Sequence, residues 1–326
     1  MPELPDVTVY VEHLDRLLKG DVLRKVRLAS PFVLRSVEPP VRNLEGRRLG
    51  AVSRLGKRLV FTFEANLFLV LHLMVAGRLK WKASGAPLPR KTGLLALDFD
   101  AGTLHLTEAS LKKRAWIRLV AGEEALAALD PGGLEPLEAS TEAFAARLRS
   151  ENHTLKRALT DPTLFSGIGN AYSDEILHRA KLSPIALTSR LTDADAARLC
   201  DAVKGTLMEW TSRLRSETGD RFPEKVTAFR PEMAVHGKFG QPCPACGTPV
   251  QRIAYAGNET NYCPACQTAG KLLADRALSR LLRGDWPKSL EEMEERKRAA
   301  RNGEPPLVKA TRLVGFVSGQ RRHDAE

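Results

Sequence analysis

Val7, Val11, Leu14 and Leu18 recur at intervals of four, three and four residues, the spacing that lines one face of an α-helix. The pattern predicts a helix from Asp6 to Lys19. Gly20 stops it, because glycine readily takes the backbone conformations that end a helical run. The period then shortens to that of strands. Arg58 to Phe63 alternates, Leu67 to Leu73 runs apolar, and Leu94 to Phe99 and Thr103 to Thr107 flank a turn at Asp100-Ala101-Gly102. These stretches read as a β-sandwich or barrel with the first helix laid against it. From about Ala139 the helical period returns, in Phe144 to Leu148, Thr154 to Leu159, Asn170 to Ala180 and Ala194 to Leu214. A Gly/Pro/Lys-rich stretch from Arg221 to Pro242 reads as a linker to a small cysteine module, after which Ala269 to Leu282 is again helix-like. The last 40 residues set acidic Glu291 to Glu295 beside basic Arg296 to Arg301 and Pro305-Pro306, a composition expected of a solvated or partly disordered appendage.

At 326 residues the chain exceeds one comfortable core. The expected class is α+β multidomain. Its expected parts are a β-sandwich with a leading helix over 1–135, a mainly helical domain over 136–225, the cysteine module with its following helix over 226–285, and a mixed-charge tail over 286–326.

Cys243, Cys246, Cys263 and Cys266 form C-x2-C-x16-C-x2-C, and the fifth cysteine, Cys200, stands apart. Two close pairs joined by a short ribbon can set four thiolates tetrahedrally around one Zn²⁺. Two disulfides are the alternative, which the absence of a signal-peptide pattern and of a disulfide-dense composition disfavours. A four-thiolate site leaves no open position for water, so one structural zinc is expected, folding the module and taking no part in chemistry.

Charge narrows the partner. Fifty Lys and Arg against 39 Asp and Glu give +11 and a pI near 9.6, which favours a polyanion through counterion release. Nucleic acid leads. An anionic membrane competes, but no apolar run approaches the roughly 20 residues of a spanning helix. The expectation is a monomeric, cytoplasmic protein, nucleoid-associated in a bacterium, that binds DNA and no membrane.

The combination of Pro2-Glu3-Leu4-Pro5, Gly56-Lys57, His72-Leu73, Ser166-Gly-Ile-Gly-Asn170-Ala-Tyr172-Ser-Asp-Glu175 and the four-cysteine ribbon, in this order and at these separations, resembles the Fpg/Nei family of DNA glycosylases over residues 1 to about 270. The resemblance implies a catalytic β-sandwich, a helix-two-turn-helix DNA-binding domain and a zinc ribbon. It also implies removal of oxidised bases from damaged DNA, duplex, abasic or single-stranded, through an N-terminal proline Schiff base and β,δ-elimination.

The residues give that chemistry physical sense. Once the initiator Met is removed, Pro2 presents a secondary amine that can attack the anomeric carbon of a nucleotide, expel the base and leave an iminium. The plain alternative is that Pro2 and Pro5 only stiffen the lead-in to a helix. Glu3 beside it can move a proton at the sugar ring oxygen, or can simply be an acidic residue favoured at a helix start. By resemblance Glu3 is the acid/base residue and Lys57 assists base removal, although a lysine at a hairpin tip is ordinarily just solvated. Asn170 is implied as a phosphate contact, supported by Lys156. The glycines before Asn170 let backbone amides approach an anion. Tyr172 reads as core.

Several positions depart from the family pattern. His72-Leu73-Met74-Val75-Ala76-Gly77 stands where His-Leu-Gly-Met-Ser-Gly is common, and Leu111-Lys112-Lys113-Arg114-Ala115-Trp116 stands where an Arg-Phe pair precedes Gly-Ala-Trp. Lys112, Lys113 and Arg114 are expected to track the DNA backbone, with Met74, Val75 or Leu111 as an apolar wedge. Asn258, followed by Glu259, replaces the ribbon arginine that holds a phosphate. Asn258 is kept as a DNA contact, with Arg252 or Asn261 compensating. These departures sustain an alternative, a weakly active or inactive lesion-binding paralogue.

Overall fold

The computed structural model describes residues 1–224, 226–227, 229–255, 258–274 and 286–301. The predicted first helix is present as α1 (Leu4–Leu18), beginning two residues earlier than the apolar spacing suggests because Pro5 suits a first turn, where an N–H has no helical partner. Two four-stranded antiparallel sheets follow. One has the order β1 (Leu23–Leu28), β6 (Gly93–Phe99), β7 (Thr103–Glu108), β5 (Gly77–Lys82). The other runs β2 (Leu49–Leu55), β3 (Arg58–Phe63), β4 (Leu67–His72), β8 (Trp116–Ala121).

Alternation sorts the side chains. Leu59, Phe61 and Phe63 of β3 and Leu67, Leu69 and Leu71 of β4 share one buried core with Leu95, Leu97, Leu104 and Leu106 of the facing sheet, as period-two strands require. Val60, Phe68 and Val70 point the other way, into a smaller cluster with Trp116, Leu126 and Leu129. That second covered face explains why β4 reads as an unbroken apolar run.

The helical part comprises α2 (Glu123–Ala127), α3 (Thr141–Arg149), α4 (Leu155–Thr160), α5 (Asn170–Arg179) and α6 (Asp193–Thr218). Thr192 caps α6 by accepting the Asp195 N–H at 3.1 Å, and the helix ends at Gly219, φ +55°. Phe144, Phe165, Tyr172, Val203 and Trp210 lie in its core. So does Leu4, while Val7, Tyr10, Leu14 and Leu18 of the same helix α1 belong to the sheet core. One helix thus contributes to both cores, which fixes the chain's first residues against the helical part.

The cysteine module is a two-stranded ribbon, β9 (Gln251–Tyr255) paired antiparallel with β10 (Asn258–Tyr262), followed by α7 (Pro264–Thr268). Two expectations change here. Ala269 ends α7 in the left-handed region, φ +50°, and 270–274 are not helical, so a helix does not start at Ala269; the remainder of that predicted helix, 275–282, lies outside the described residues. The acidic-then-basic run is a helix, α8 (Leu290–Arg301), carrying an Arg296–Glu292 ion pair at 2.8 Å one turn apart. The compact unit Met1–Ala269 holds everything described below; α8 belongs to a second unit, Gly270–Glu326.

Candidate active site and nucleic-acid interface

The motif residues at the amino terminus and those 160 positions later meet. Glu3 is buried, and its carboxylate accepts the N–H groups of Gly169 (2.7 Å), Ala171 (2.8 Å) and Tyr172 (3.2 Å). These are amides at the start of α5, which have no partner within the helix and lie at the positive end of its dipole. Leu4 N–H is bonded to Gly167 O at 2.9 Å. The glycines are needed for closeness: a Cβ on Gly169 would stand 2.5 Å from Glu3 Cδ, and one on Gly167, φ +78°, 2.8 Å from Leu4 Cβ. The anion that the backbone amides approach here is thus the protein's own Glu3 carboxylate.

A second junction brings in Lys57. Leu55 pairs with Arg58 around the two-residue loop Gly56-Lys57, with Gly56 at φ +61°, a conformation a hairpin needs at this point. The loop is tied to the turn before α5, since Arg54 donates to Gly56 O (3.0 Å) and Ser166 Oγ (3.2 Å) and pairs with Glu135, which also accepts from Ser166 Oγ. Burial lowers the Lys57 pKa, the Glu3 charge opposes this and Lys156 adds to it. The amine of Met1 is likewise lowered, first by burial, and Glu3, Arg78, Asp6 and Lys57 act on it. Pro2 is buried beside it. Glu3 and Lys57 thus lie within electrostatic reach of the buried amino terminus that carries Pro2.

Asp6 and Arg230 join this group through the Glu3 backbone, although neither stands out in the sequence as a site residue. Asp6 Oδ2 accepts the Glu3 N–H at 3.0 Å, and burial pushes its carboxyl up to about 6 despite Arg230 at 3.2 Å. The three-residue offset from Glu3 to Asp6, a capping-box spacing, was the available signal. Next to the pair opens a cavity of about 660 Å³ lined by Trp81, Phe222, Val226, Glu217, Asp6 and Arg230 among others.

Outside it, His72 holds the loop that follows β4. Its Nδ1 accepts the Met74 N–H at 2.9 Å and its ring stacks on Trp116, centroids 5.5 Å apart. Burial, with Arg58 and Lys57 nearby, lowers its pKa to about 4, so at neutral pH Nδ1 is free to accept. Met74 is thereby kept at φ +51° and Val75 is exposed. Leu111 is fully exposed, 100 %, at the tip of a loop whose neck is pinned by Glu108, which accepts from Arg114 and Ala115 N–H at 2.8 and 3.0 Å. Lys112, Lys113 and Arg114 are all exposed, and Lys113 also donates to Glu108 O.

Lys156 and Asn170 adjoin. The Lys156 ammonium donates to Asn170 O and to Asp174 Oδ1, each at 2.6 Å. Tyr172 is core, as read from sequence, and Glu175 receives the N–H groups of Ala234, Val235 and His236 at 2.7 to 2.9 Å. On the ribbon, Arg252 pairs with Glu259 at 2.7 Å and lies over Phe239. Asn261 is buried and donates to Asp174 Oδ2. Arg252 keeps further donors on a half-exposed side chain, whereas Asn261 is enclosed. Asn258 faces Tyr255 in the ladder; its side chain lies outside the described residues.

The sulfurs of Cys243, Cys246, Cys263 and Cys266 all lie within 4.8 Å of one another. Named pairs stand 3.4, 3.5 and 4.0 Å apart. A tetrahedral ion with metal–sulfur bonds of about 2.3 Å sets its ligands about 3.8 Å apart, whereas a disulfide needs about 2.05 Å. Burial pushes the Cys263 thiol up and that of Cys266 to about 11, whereas the Thr248 hydrogen bond lowers that of Cys246 to about 6. The donor set fits one structural metal. His178 Nε2 lies 3.2 Å from Cys243 Sγ, tying α5 to the cluster.

With this geometry in view, the similarities are consistent from end to end. Residues 1–112 match the formamidopyrimidine-DNA glycosylase N-terminal domain, 133–218 the formamidopyrimidine-DNA glycosylase H2TH domain and 240–269 the zinc finger found in FPG and IleRS. The formamidopyrimidine-DNA glycosylase of Thermus thermophilus is 35% identical over 279 residues, 83% of this chain and all of that protein. That of Desulforamulus reducens is 33% identical over 282 residues, 82% of this chain and all of the relative. Among solved structures, Lactococcus lactis Fpg with DNA containing an abasic site superimposes with TM-score 0.73 at 27% identity, covering 82% of this chain and 99% of that one. A MutM complex with DNA containing carbocyclic 8-oxo-G gives the same TM-score and identity over 82% of this chain and 100% of that one. The chain belongs to the formamidopyrimidine-DNA glycosylase family.

Proposed function

We propose that this protein is a base-excision-repair DNA glycosylase with AP lyase activity, acting through Pro2. The observation that carries the reading is the Glu3 carboxylate seated at the start of α5, next in the chain to the buried Pro2 and close enough to Lys57 for their charges to interact. After Met1 is removed, the Pro2 nitrogen pair attacks C1′ of the damaged nucleotide and the glycosidic bond breaks, its electron pair leaving with the base. Glu3 moves a proton at the ring oxygen as the sugar opens, and the nitrogen–carbon iminium remains. Loss of a C2′ proton then expels the 3′ phosphate, and a second elimination expels the 5′ phosphate. Lys57, its ammonium destabilised by burial, loses a proton more readily than an exposed lysine and so suits proton exchange with the leaving base. The cavity beside Asp6 and Arg230 gives an extruded base somewhere to go.

Lys156, Asn170, Lys112 and Arg114 grip the phosphates in this reading, and Met74, Val75 and Leu111 enter the stack. One Zn²⁺ on the four cysteines holds the ribbon; its closed coordination supplies no reacting group. Binding without turnover is a second reading, kept open by the departures from the family pattern at the wedge, with Lys113 in place of Phe, and at Asn258.

Three outcomes follow from these roles. Borohydride should trap a covalent adduct with abasic DNA, because an iminium is reducible, and peptide mapping should put it on Pro2. No adduct would favour the binding-only reading, and an adduct on a lysine would remove Pro2 from the mechanism. Metal analysis should return about one zinc per chain, and Cys243→Ser should weaken DNA binding while the sheet core stays folded; normal binding by zinc-free protein would contradict this. Gly169→Ala, whose backbone tolerates a side chain but whose Cβ would displace Glu3, should slow single-turnover abasic-site cleavage by about 10²-fold with DNA affinity little changed. Wild-type cleavage by that variant would show that the Glu3 seat is not needed for chemistry.

A further inference from the structure

Asp174 lies on α5 with its side chain wholly buried, 0% exposed, among groups brought from three other places in the chain. Oδ1 accepts from Lys156 Nζ of α4 at 2.6 Å. Oδ2 bonds to His236 Nδ1 at 2.8 Å and accepts from Asn261 Nδ2 of β10 at 3.2 Å. A carboxylate withdrawn from water this far is tolerated only when its oxygens are so occupied.

The consequence falls on Lys156. An ammonium has three N–H donors and no acceptor. Asp174 Oδ1 takes one and Asn170 O another, both at 2.6 Å, so one donor remains, on a side chain that is only 13% exposed. A flexible four-carbon stem would otherwise leave that charge wandering. Here its direction is set before any ligand arrives.

We propose that Asp174 is a positioning residue that aims Lys156 at a DNA phosphate and takes its own position from His236 and Asn261, so that the ribbon and the helical phosphate grip are set as one unit. The inference rests on the phosphate role given to Lys156 above. It also makes a prediction opposite in sign to charge counting. Removing a carboxylate next to a DNA-binding lysine should strengthen binding if only net charge mattered, whereas the positioning role requires that binding weaken.

The test is a double-mutant cycle on the full-length, zinc-loaded protein, using fluorescence anisotropy with a duplex carrying a tetrahydrofuran abasic analogue from 50 to 200 mM salt. Lys156→Ala should weaken binding on the order of tenfold and lower the slope of log affinity against log salt by about 0.9, the signature of one lost phosphate contact. Asp174→Asn should reproduce most of both effects with zinc content unchanged, and the double variant should bind no more weakly than Lys156→Ala alone. Tighter or unchanged binding by Asp174→Asn, or losses that multiply in the double variant, overturns the proposal. If Lys156→Ala itself leaves affinity and slope untouched, the phosphate role fails and the proposal falls with it, a result read without reference to Asp174. Should Asp174→Asn not fold, Asn261→Ala takes its place in the cycle. A loss of about threefold that vanishes in the Lys156→Ala background supports the coupling, and a loss that persists there overturns it.

Discussion

The contact on which the rest depends is the Glu3 carboxylate seated on the first amides of α5. A helix start offers unpaired N–H groups and a partial positive charge, and an anion placed there is held without any cationic side chain. Using that seat for a residue of its own amino terminus, the protein fixes the chain's first three residues, ordinarily among its least ordered. The nucleophile proposed at Pro2 inherits this order. Gly167 and Gly169 are the cost in side chains, since either Cβ would strike Glu3 or Leu4.

Helix α5 then works as a beam. Its amino end seats Glu3, and its flank carries Asp174, Glu175 and His178, which reach respectively Lys156 with Asn261, the amides of 234–236, and Cys243 Sγ. The ribbon is therefore attached to the same element that positions the Glu3 carboxylate. A metal that takes no part in bond-making can still matter to chemistry through such a strut, because an error of an ångström in a catalytic group costs rate steeply.

Sequence made some of this legible and hid the rest for identifiable reasons. The spacing of Val7, Leu14 and Leu18 places α1, and Cys243 to Cys266 announce a four-sulfur site, because both signals are local. β1 (Leu23–Leu28) and β5 (Gly77–Lys82) escaped notice, since their exposed Arg and Lys positions interrupt the apolar pattern. The glycines before Asn170 signal an anion close to backbone amides without saying which one. Their real occupant, Glu3, is more than 160 residues away, and no local pattern encodes so distant a partner. For the same reason nothing in the sequence marks Asp174, Arg54 or Arg230, whose partners lie far along the chain. Asn261 had the right chemistry for a phosphate, but its place on β10 turns it inward.

The central claim is that Glu3 supplies the cap that α5 otherwise lacks, and amide hydrogen exchange at Gly169, Ala171 and Tyr172 addresses it directly. In the native protein these three amides should be protected, and Glu3→Ala should expose them by a factor of about ten or more while amides in the middle of α6 keep their protection. If the three amides exchange equally in both proteins, Glu3 does not hold the start of α5 and the account of how the amino terminus is positioned is wrong.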